Sequence, residues 1–461
     1  MTLLALIAAD QVEVEPATAS PTRRFTARLR RSVPSRDQWR VLASGSGLMG
    51  RFGYLVATQT IVMVLGVAYW AITARLVPAA SVGISAAAVS AAAFLSAVGV
   101  LGIGSLLLVE VHRVPEGHRR VVVSTGVAVV GVVVLSLALV AWAVSPYLGH
   151  SLAALGSHPE DALLFVAGSV VTAIAAVFDA TAIGLRKSPV QLVRNVVSSS
   201  LRLALLVTFV GLGTRTTTGL LVAWSASTGA SLVFCPRLLG LSRARSDPSA
   251  PAQRREIVRR FARPALRHHA LNLAITSVTF FLPVLAALFL VPAAYAYFSV
   301  AQLVSSTVLL LPALLAVSLF AEASGDPASL QRHVRRTLPI GFGCCLAAIA
   351  VVEPGAPLIC GVFGRQYADH GTEVLRILIC SGVPYVVKDH FVAIRRAQGR
   401  LTDAARVVIL ATCLEAAAAA VGAARFGVIG LSGFWVAATV VEAGIFVPVV
   451  WRVARQPRHR R

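Results

Sequence analysis

Residues 76–80 read Leu76-Val77-Pro78-Ala79-Ala80, and the same five residues return as Leu290-Val291-Pro292-Ala293-Ala294, 214 positions later. Each copy stands at the end of a long run with few charges, at about 53–75 and 270–291. A second pair of matches has a similar offset: Ala182-Ile183 precedes Arg194, and Ala393-Ile394 precedes Arg406, about 211 positions on. Two matches in equivalent places point to an internal duplication. If each copy holds six membrane spans, the copies share one orientation, the parallel repeat from which transporters build two lobes around a central cavity.

The composition sets the solvent. Of the 461 residues, 57% are hydrophobic and 13% charged, and the mean hydropathy of +0.77 is that of a membrane protein. Apolar runs lie at about 53–75, 83–108, 121–145, 162–183, 191–212, 217–235, 270–291, 296–320, 338–360, 374–393, 404–424 and 428–451. A bilayer-spanning helix takes roughly 20 residues. The expected fold is therefore all-α and polytopic, with about twelve transmembrane helices in two six-helix lobes. Cytoplasmic enzymes, secreted scaffolds and free nucleic-acid binders are excluded.

Charge tests that count independently. Taking alternate loops as cytoplasmic, 35 of the 42 Lys and Arg fall on that side. Only Arg75, Arg215, Arg365 and Arg425 fall on the other, while Arg202, Arg376 and Lys388 lie within or at the edge of helices. The positive-inside rule then places both ends in the cytoplasm, with an even number of spans across the inner or plasma membrane. The net charge of +22 thus faces anionic headgroups, making anionic lipids a partner and nucleic acid none.

These signals divide the chain into a basic cytoplasmic arm at 1–47, an N-terminal lobe at 48–235, a linker at 236–268, a C-terminal lobe at 269–452 and a basic tail at 453–461. The linker carries nine arginines among Ser, Pro, Asp and Ala and sits near the midpoint. The six cysteines lie in or beside apolar segments without a CxxC pair, so no zinc site or disulfide framework is expected. No other metal or cofactor is implied either.

Polar residues that remain in the membrane are the candidate functional groups. Gln191, Asn195, Ser198 and Arg202 recur at spacings of 4, 3 and 4, along one side of a helix, with Arg194 close to that stripe. An arginine facing lipid costs several kcal/mol, so Arg202 is expected to face the protein interior or a wet cavity. Two readings stay open there. Arg202 either forms a structural ion pair, with Asp179 on the preceding helix as the partner, or offers guanidinium donors to an anionic substrate, with Arg194 beside it. In the second half, Lys388, Asp389 and His390 fan out around one helix, and Lys388 suits an ion pair at the headgroup level. Glu415 and Glu442 are lone acids in the last two spans, able to couple an ion or to pair with a base. An enzyme is not expected. A membrane glycosyltransferase or polymerase needs catalytic acids or a metal motif on a substantial loop, whereas the longest external loop, about 146–161, offers only Glu160 and Asp161 at its end.

Over most of residues 44–450 the arrangement resembles the polysaccharide-biosynthesis branch of the multidrug/oligosaccharidyl-lipid/polysaccharide (MOP) exporter superfamily, with its Wzx-type flippases and, more distantly, its MATE multidrug extruders. The resemblance runs through Gly45-Ser46-Gly47 to Arg51, Tyr69 to Gly83, Gly102-Ile103-Gly104, Asp179 to Arg202, Tyr297 to Glu322, Val362-Phe363-Gly364, Gly399-Arg400 and Gly427 to Gly433. It implies a V-shaped pair of six-helix lobes that moves a polyprenyl-pyrophosphate-linked oligosaccharide to the outer leaflet by alternating access, in concert with polysaccharide assembly enzymes. It also implies cavity arginines that hold the pyrophosphate, a role carried here to Arg51 and Arg202. Asn195 and Ser198 can bond sugar hydroxyls. The alternative within the superfamily is a multidrug or cation antiporter, which gains if Asp179, Glu415 and Glu442 line a cation pocket.

Overall fold

A computed structural model describes residues 48–100, 102–156, 158–241, 280–310 and 327–455 of the chain. The described residues are almost wholly helical: α1 Leu48–Leu76, α2 Ala79–Gly99, α3 Ile103–Glu110, α4 Glu116–Val144, α5 Pro159–Gly184, α6 Ser188–Gly211 and α7 Thr217–Leu232 form the amino-terminal half. The carboxyl-terminal half contains α8 Phe280–Phe289, then α9 Pro292–Val308, α10 Pro327–Gly361, α11 Arg365–Ile379, α12 Gly382–Ala397 and α13 Leu401–Arg455. The expected arm 1–47, the linker and the tail from 456 onward lie outside the described residues.

The repeated pentapeptide is a helix–turn–helix junction in both halves. Pro78 caps the start of α2 directly after α1, and Pro292 opens α9 directly after α8. Proline lacks an amide hydrogen, and the first turn of a helix is where none is needed.

Four expected spans differ in detail. The run 83–108 is broken, with α2 ending at Gly99 and α3 starting after Gly102, whose φ of 73° is left-handed. The run 374–393 is also two helices, α11 and α12, bent by 40°. Conversely, the last two expected spans form one helical assignment, α13, interrupted at Gly427 (φ 61°, ψ −142°). Its two arms fold side by side. Glu415 and Glu442 both bond the same lysine, although 27 residues of straight helix would hold them about 40 Å apart. At the crossing, the backbones of Gly422 and Gly430 lie so close that a Cβ on either would overlap the other's carbonyl.

Seven described helices are long and apolar enough to cross a membrane, or up to eight if α11 and α12 form one span. The folded-back α13 enters that count once. The expectation of twelve spans also draws on residues 270–279 and 311–320, outside the described ones. The molecule is a multi-pass all-α membrane protein.

Burial is distributed unevenly. One apolar cluster joins both halves, with Tyr69, Val82, Ala86 and Leu220 from the first and Leu285, Tyr295, Phe298 and Phe363 from the second. A second belongs to the first half alone, around Leu107, Val123, Val130 and Ile183. A third belongs to the second half alone, around Val334, Phe391, Ile394 and Phe446. The halves therefore meet at one end and keep separate cores at the other. At the shared end α2 packs against α9, the Tyr295 hydroxyl bonds Ser90 Oγ at 3.0 Å, and Ser151 Oγ donates to the Leu290 carbonyl at 2.6 Å. Arg75 Nε donates to the Val362 carbonyl at 2.7 Å.

Candidate transport site

The amino-terminal cluster is built on α6, which lies between α1 and α7 and follows α5 through a tight turn. Arg194 is buried and grips Asp179 with two parallel bonds, Nε to Oδ1 at 2.8 Å and Nη2 to Oδ2 at 2.6 Å. Nη2 also donates to Asn195 Oδ1 at 2.8 Å, and Asn195 Nδ2 donates to the Gln191 carbonyl at 3.0 Å. Ser198 is buried on the same helix. Asp179 is thus the partner of Arg194, and not of Arg202 as one reading of the sequence had it. The reason is depth. Asp179 lies five residues before the end of α5 at Gly184 and Arg194 six residues after the start of α6 at Ser188, so the two face each other across the hairpin. Arg202 is eight residues farther along, about 12 Å deeper.

Arg202 occupies a different environment. Its guanidinium carbon sits 3.4 Å from the centre of the Trp224 ring and 5.9 Å from that of Tyr69. Nη2 donates to Thr228 Oγ1 at 3.3 Å, while Nε is buried with no hydrogen-bond partner. No carboxylate pairs with it among the described residues. Aromatic faces supply part of the missing negative potential, and the donor edge is left for an anion or a polar ligand. Arg51 lies in the first turn of α1; its side chain is outside the described residues.

The carboxyl-terminal cluster was not assembled by sequence reasoning. Lys388 of α12 reaches into α13 and donates to Glu415 Oε1 at 2.5 Å and to Glu442 Oε2 at 2.9 Å. Trp435 Nε1 donates to Glu415 Oε2 at 3.1 Å. Lys388, Glu415 and Glu442 are 5%, 3% and 1% exposed, so the ammonium and both carboxylates are held inside the protein. Lys388 forms an ion pair, as the sequence suggested, and its partners are Glu415 and Glu442, so the two acids that stand alone in the sequence are not lone in the fold. The fold-back at Gly427 brings the two acids to one point, which no local spacing reveals. The usable signal was composition: a lysine and two glutamates in the last three expected spans, since charges inside a membrane are found paired. His390, beside this cluster in sequence, is buried between Thr337 Oγ1 at 3.0 Å and the Val386 carbonyl at 2.8 Å. Arg376 of α11 pairs with Glu353 of α10 at 3.4 Å.

A cavity of about 890 Å³ has apolar walls of Val123, Val127, Phe178 and Val233, with Arg120 and Arg237 also in its lining. No group of His, Cys, Asp and Glu suited to a metal ion occurs among the described residues.

Neither family models nor curated proteins match this sequence. Solved structures do. An inward-facing multidrug resistance MATE transporter of the MOP superfamily superposes with a TM-score of 0.66 at 18% identity, covering 85% of this chain and 94% of that one. A MOP superfamily transporter from Pyrococcus furiosus, whose reversed pocket polarity suggests a different function for it, gives 0.59 at 17%, covering 88% and 97%. An outward-facing multidrug resistance MATE transporter gives 0.54 at 18%, covering 88% and 97%. The chain has the MOP transporter fold. Within that fold the two buried charge clusters fall in different halves, one holding an arginine without a carboxylate, the other two carboxylates on one lysine.

Proposed function

We propose that the protein is an alternating-access membrane exporter that exchanges its substrate for a cation, an antiporter of the multidrug type named for the MATE structures it resembles. The observation that carries this reading is the Lys388–Glu415–Glu442 cluster, an ionisable group of side chains sealed inside the carboxyl-terminal half of a transporter fold. Buried charges are costly to keep, and inside membrane proteins they mark ion pathways or pairs that hold helices together. No covalent chemistry is required of the chain. Everted membrane vesicles containing it are expected to accumulate the cationic dye ethidium when energised, and vesicles without it are not. Equal accumulation in the two sets would sink the antiporter reading.

One observation favours a second reading, transfer of a polyprenyl-pyrophosphate-linked oligosaccharide across the bilayer. Arg202 stands on Trp224 without a carboxylate partner, and a guanidinium edge matches phosphate oxygens. The pyrophosphate would meet Arg202 while Asn195 and Ser198 offer bonds to sugar hydroxyls, and polysaccharide assembly enzymes and anionic inner-leaflet lipids would be the partners. Deletion of the gene separates the two. Loss of surface glycan with unchanged drug susceptibility supports lipid-linked transfer, and the reverse phenotype supports the antiporter.

A further inference from the structure

The two carboxylates on Lys388 are not equivalent. Both oxygens of Glu415 hold donors, Lys388 on one and Trp435 on the other. Glu442 holds Lys388 with Oε2, but its Oε1 is buried with no partner. A carboxylate oxygen buried without a donor is costly, and two carboxylates against one ammonium leave a net negative charge in an apolar interior. Binding one proton removes that charge. The Glu442 oxygen without a donor is where an O–H bond forms at least cost, since nothing there has to be displaced.

The surroundings support that count. The ionisable groups that act on the cluster are Tyr385 and Asp389 from α12, besides Lys388, Glu415 and Glu442 themselves. Asp389 neighbours Lys388 on the same helix and bonds none of them. From α8 come only apolar side chains, Phe281, Leu282 and Leu285, which border a void of about 10 Å³ beside Glu415 and Trp435. A single water needs roughly 10–15 Å³, so this void holds one water at most. From α10 the nearby candidates are Cys345, which faces Asp389, and Thr337, which is engaged by His390.

We infer that the carboxyl-terminal half carries one exchangeable proton on Glu442, with Lys388 as the resident counter-cation, and that the coupling ion is a proton and not sodium. The lysine ammonium already occupies the position between the two acids that a metal cation would need. In the step itself, Glu442 takes a proton from water on one side of the membrane and returns it on the other. One O–H bond forms and breaks, and no other bond changes. The inference rests on the antiporter reading, and it names the ion for it.

Trp435 reports on the cluster, because its indole bonds Glu415. In the detergent-purified full chain, the fluorescence difference between the protein and its Trp435→Phe variant is to be followed from mildly acid to mildly alkaline buffer. The expected result is a single-proton transition, unchanged when NaCl replaces KCl and lost in Glu442→Gln, which mimics the protonated acid. If Glu442→Gln does not yield monodisperse protein, Glu442→Asp replaces it and is expected to move the midpoint. Absence of the transition, a shift with sodium, its survival in Glu442→Gln, or an unmoved midpoint in Glu442→Asp overturns the proposal. Ethidium transport in vesicles separates the two levels. A transition without transport leaves the proton site and removes the antiporter, whereas transport without a transition removes the site alone.

Discussion

At the residue scale, the two arginines of α6 have opposite roles because their surroundings differ. Arg194 is satisfied by the doubly bonded Asp179 and by Asn195. Removing one partner of a buried pair strands the other charge at a cost of about 3–5 kcal/mol. Arg194→Ala is therefore expected to lower the folded yield and the thermal midpoint in detergent, and Asp179→Ala on top of it to restore part of both. No recovery in the double variant would mean that the pair is not the source of the loss. Arg202→Ala strands no carboxylate, so its folded yield is expected to stay near that of the parent, while loss of the Trp224 contact removes about 1–2 kcal/mol at most. If the lipid-linked reading is right, the same variant abolishes glycan transfer, and Arg202→Lys, which keeps the charge but not the two-pronged donor edge, does not restore it. Stable Arg202→Ala with normal glycan transfer would rule out an essential phosphate contact. The stripe Gln191, Asn195, Ser198, Arg202 was legible in the sequence because helical spacing fixes which residues share a side. Which arginine meets Asp179 was not, since that depends on where the α5–α6 hairpin turns.

At the element scale, hydropathy located the apolar segments but not the backbone breaks within them. A window over 83–108 registers continuous apolar composition, whereas the left-handed Gly102 ends one helix and begins another. The same holds for the bend between Ile379 and Gly382. The sequence reading divides the last apolar stretch into 404–424 and 428–451, and the break in the helix falls between them at Gly427. What the sequence could not give is the register of the two arms, which decides that Glu415 and Glu442 reach the same ammonium. Gly427 has a backbone conformation that is essentially restricted to glycine, so Gly427→Val is expected to cost about 1–3 kcal/mol. Gly422→Val acts on the arms themselves, since its side chain meets the Gly430 backbone and pushes the crossing open. Both changes lie away from the charged residues and should still disturb them. The check is the Trp435 fluorescence, whose emission is expected to shift as the bond to Glu415 is lost; an unchanged spectrum from either folded variant would mean that the crossing does not set the cluster's geometry.

At the scale of the whole molecule, the positions of the shared and private apolar clusters define a conformation. The cluster common to both halves gathers around the repeated junctions Leu76–Ala80 and Leu290–Ala294, where Arg75 reaches the Val362 carbonyl and Tyr295 reaches Ser90. If the arginine distribution sets the topology as the sequence leads one to expect, this end is external, because Arg75 and Arg365 lie there and the basic loops lie opposite. The private clusters lie toward the basic end, at Val123 and Ile183 in one half and at Val334 and Ile394 in the other. On that topology the apolar cluster shared by the two halves closes the external end. If the chain works by alternating access as proposed, with this end external, these contacts break in every cycle, so fixing them should stop transport without unfolding the chain. The contacts to be broken are few and small beside the shared apolar cluster, and a cross-link across them adds a constraint that the cycle cannot relax. In a background with the six native cysteines replaced, Ser90→Cys and Tyr295→Cys joined by a short reducible dithiol linker are expected to abolish ethidium transport in everted vesicles, and reduction to restore it. The single-cysteine variants, treated alike, are expected to keep transporting. Undiminished transport by fully cross-linked protein would mean that α2 and α9 do not separate during the cycle, and that the contact between the repeats is a permanent joint instead of an external gate.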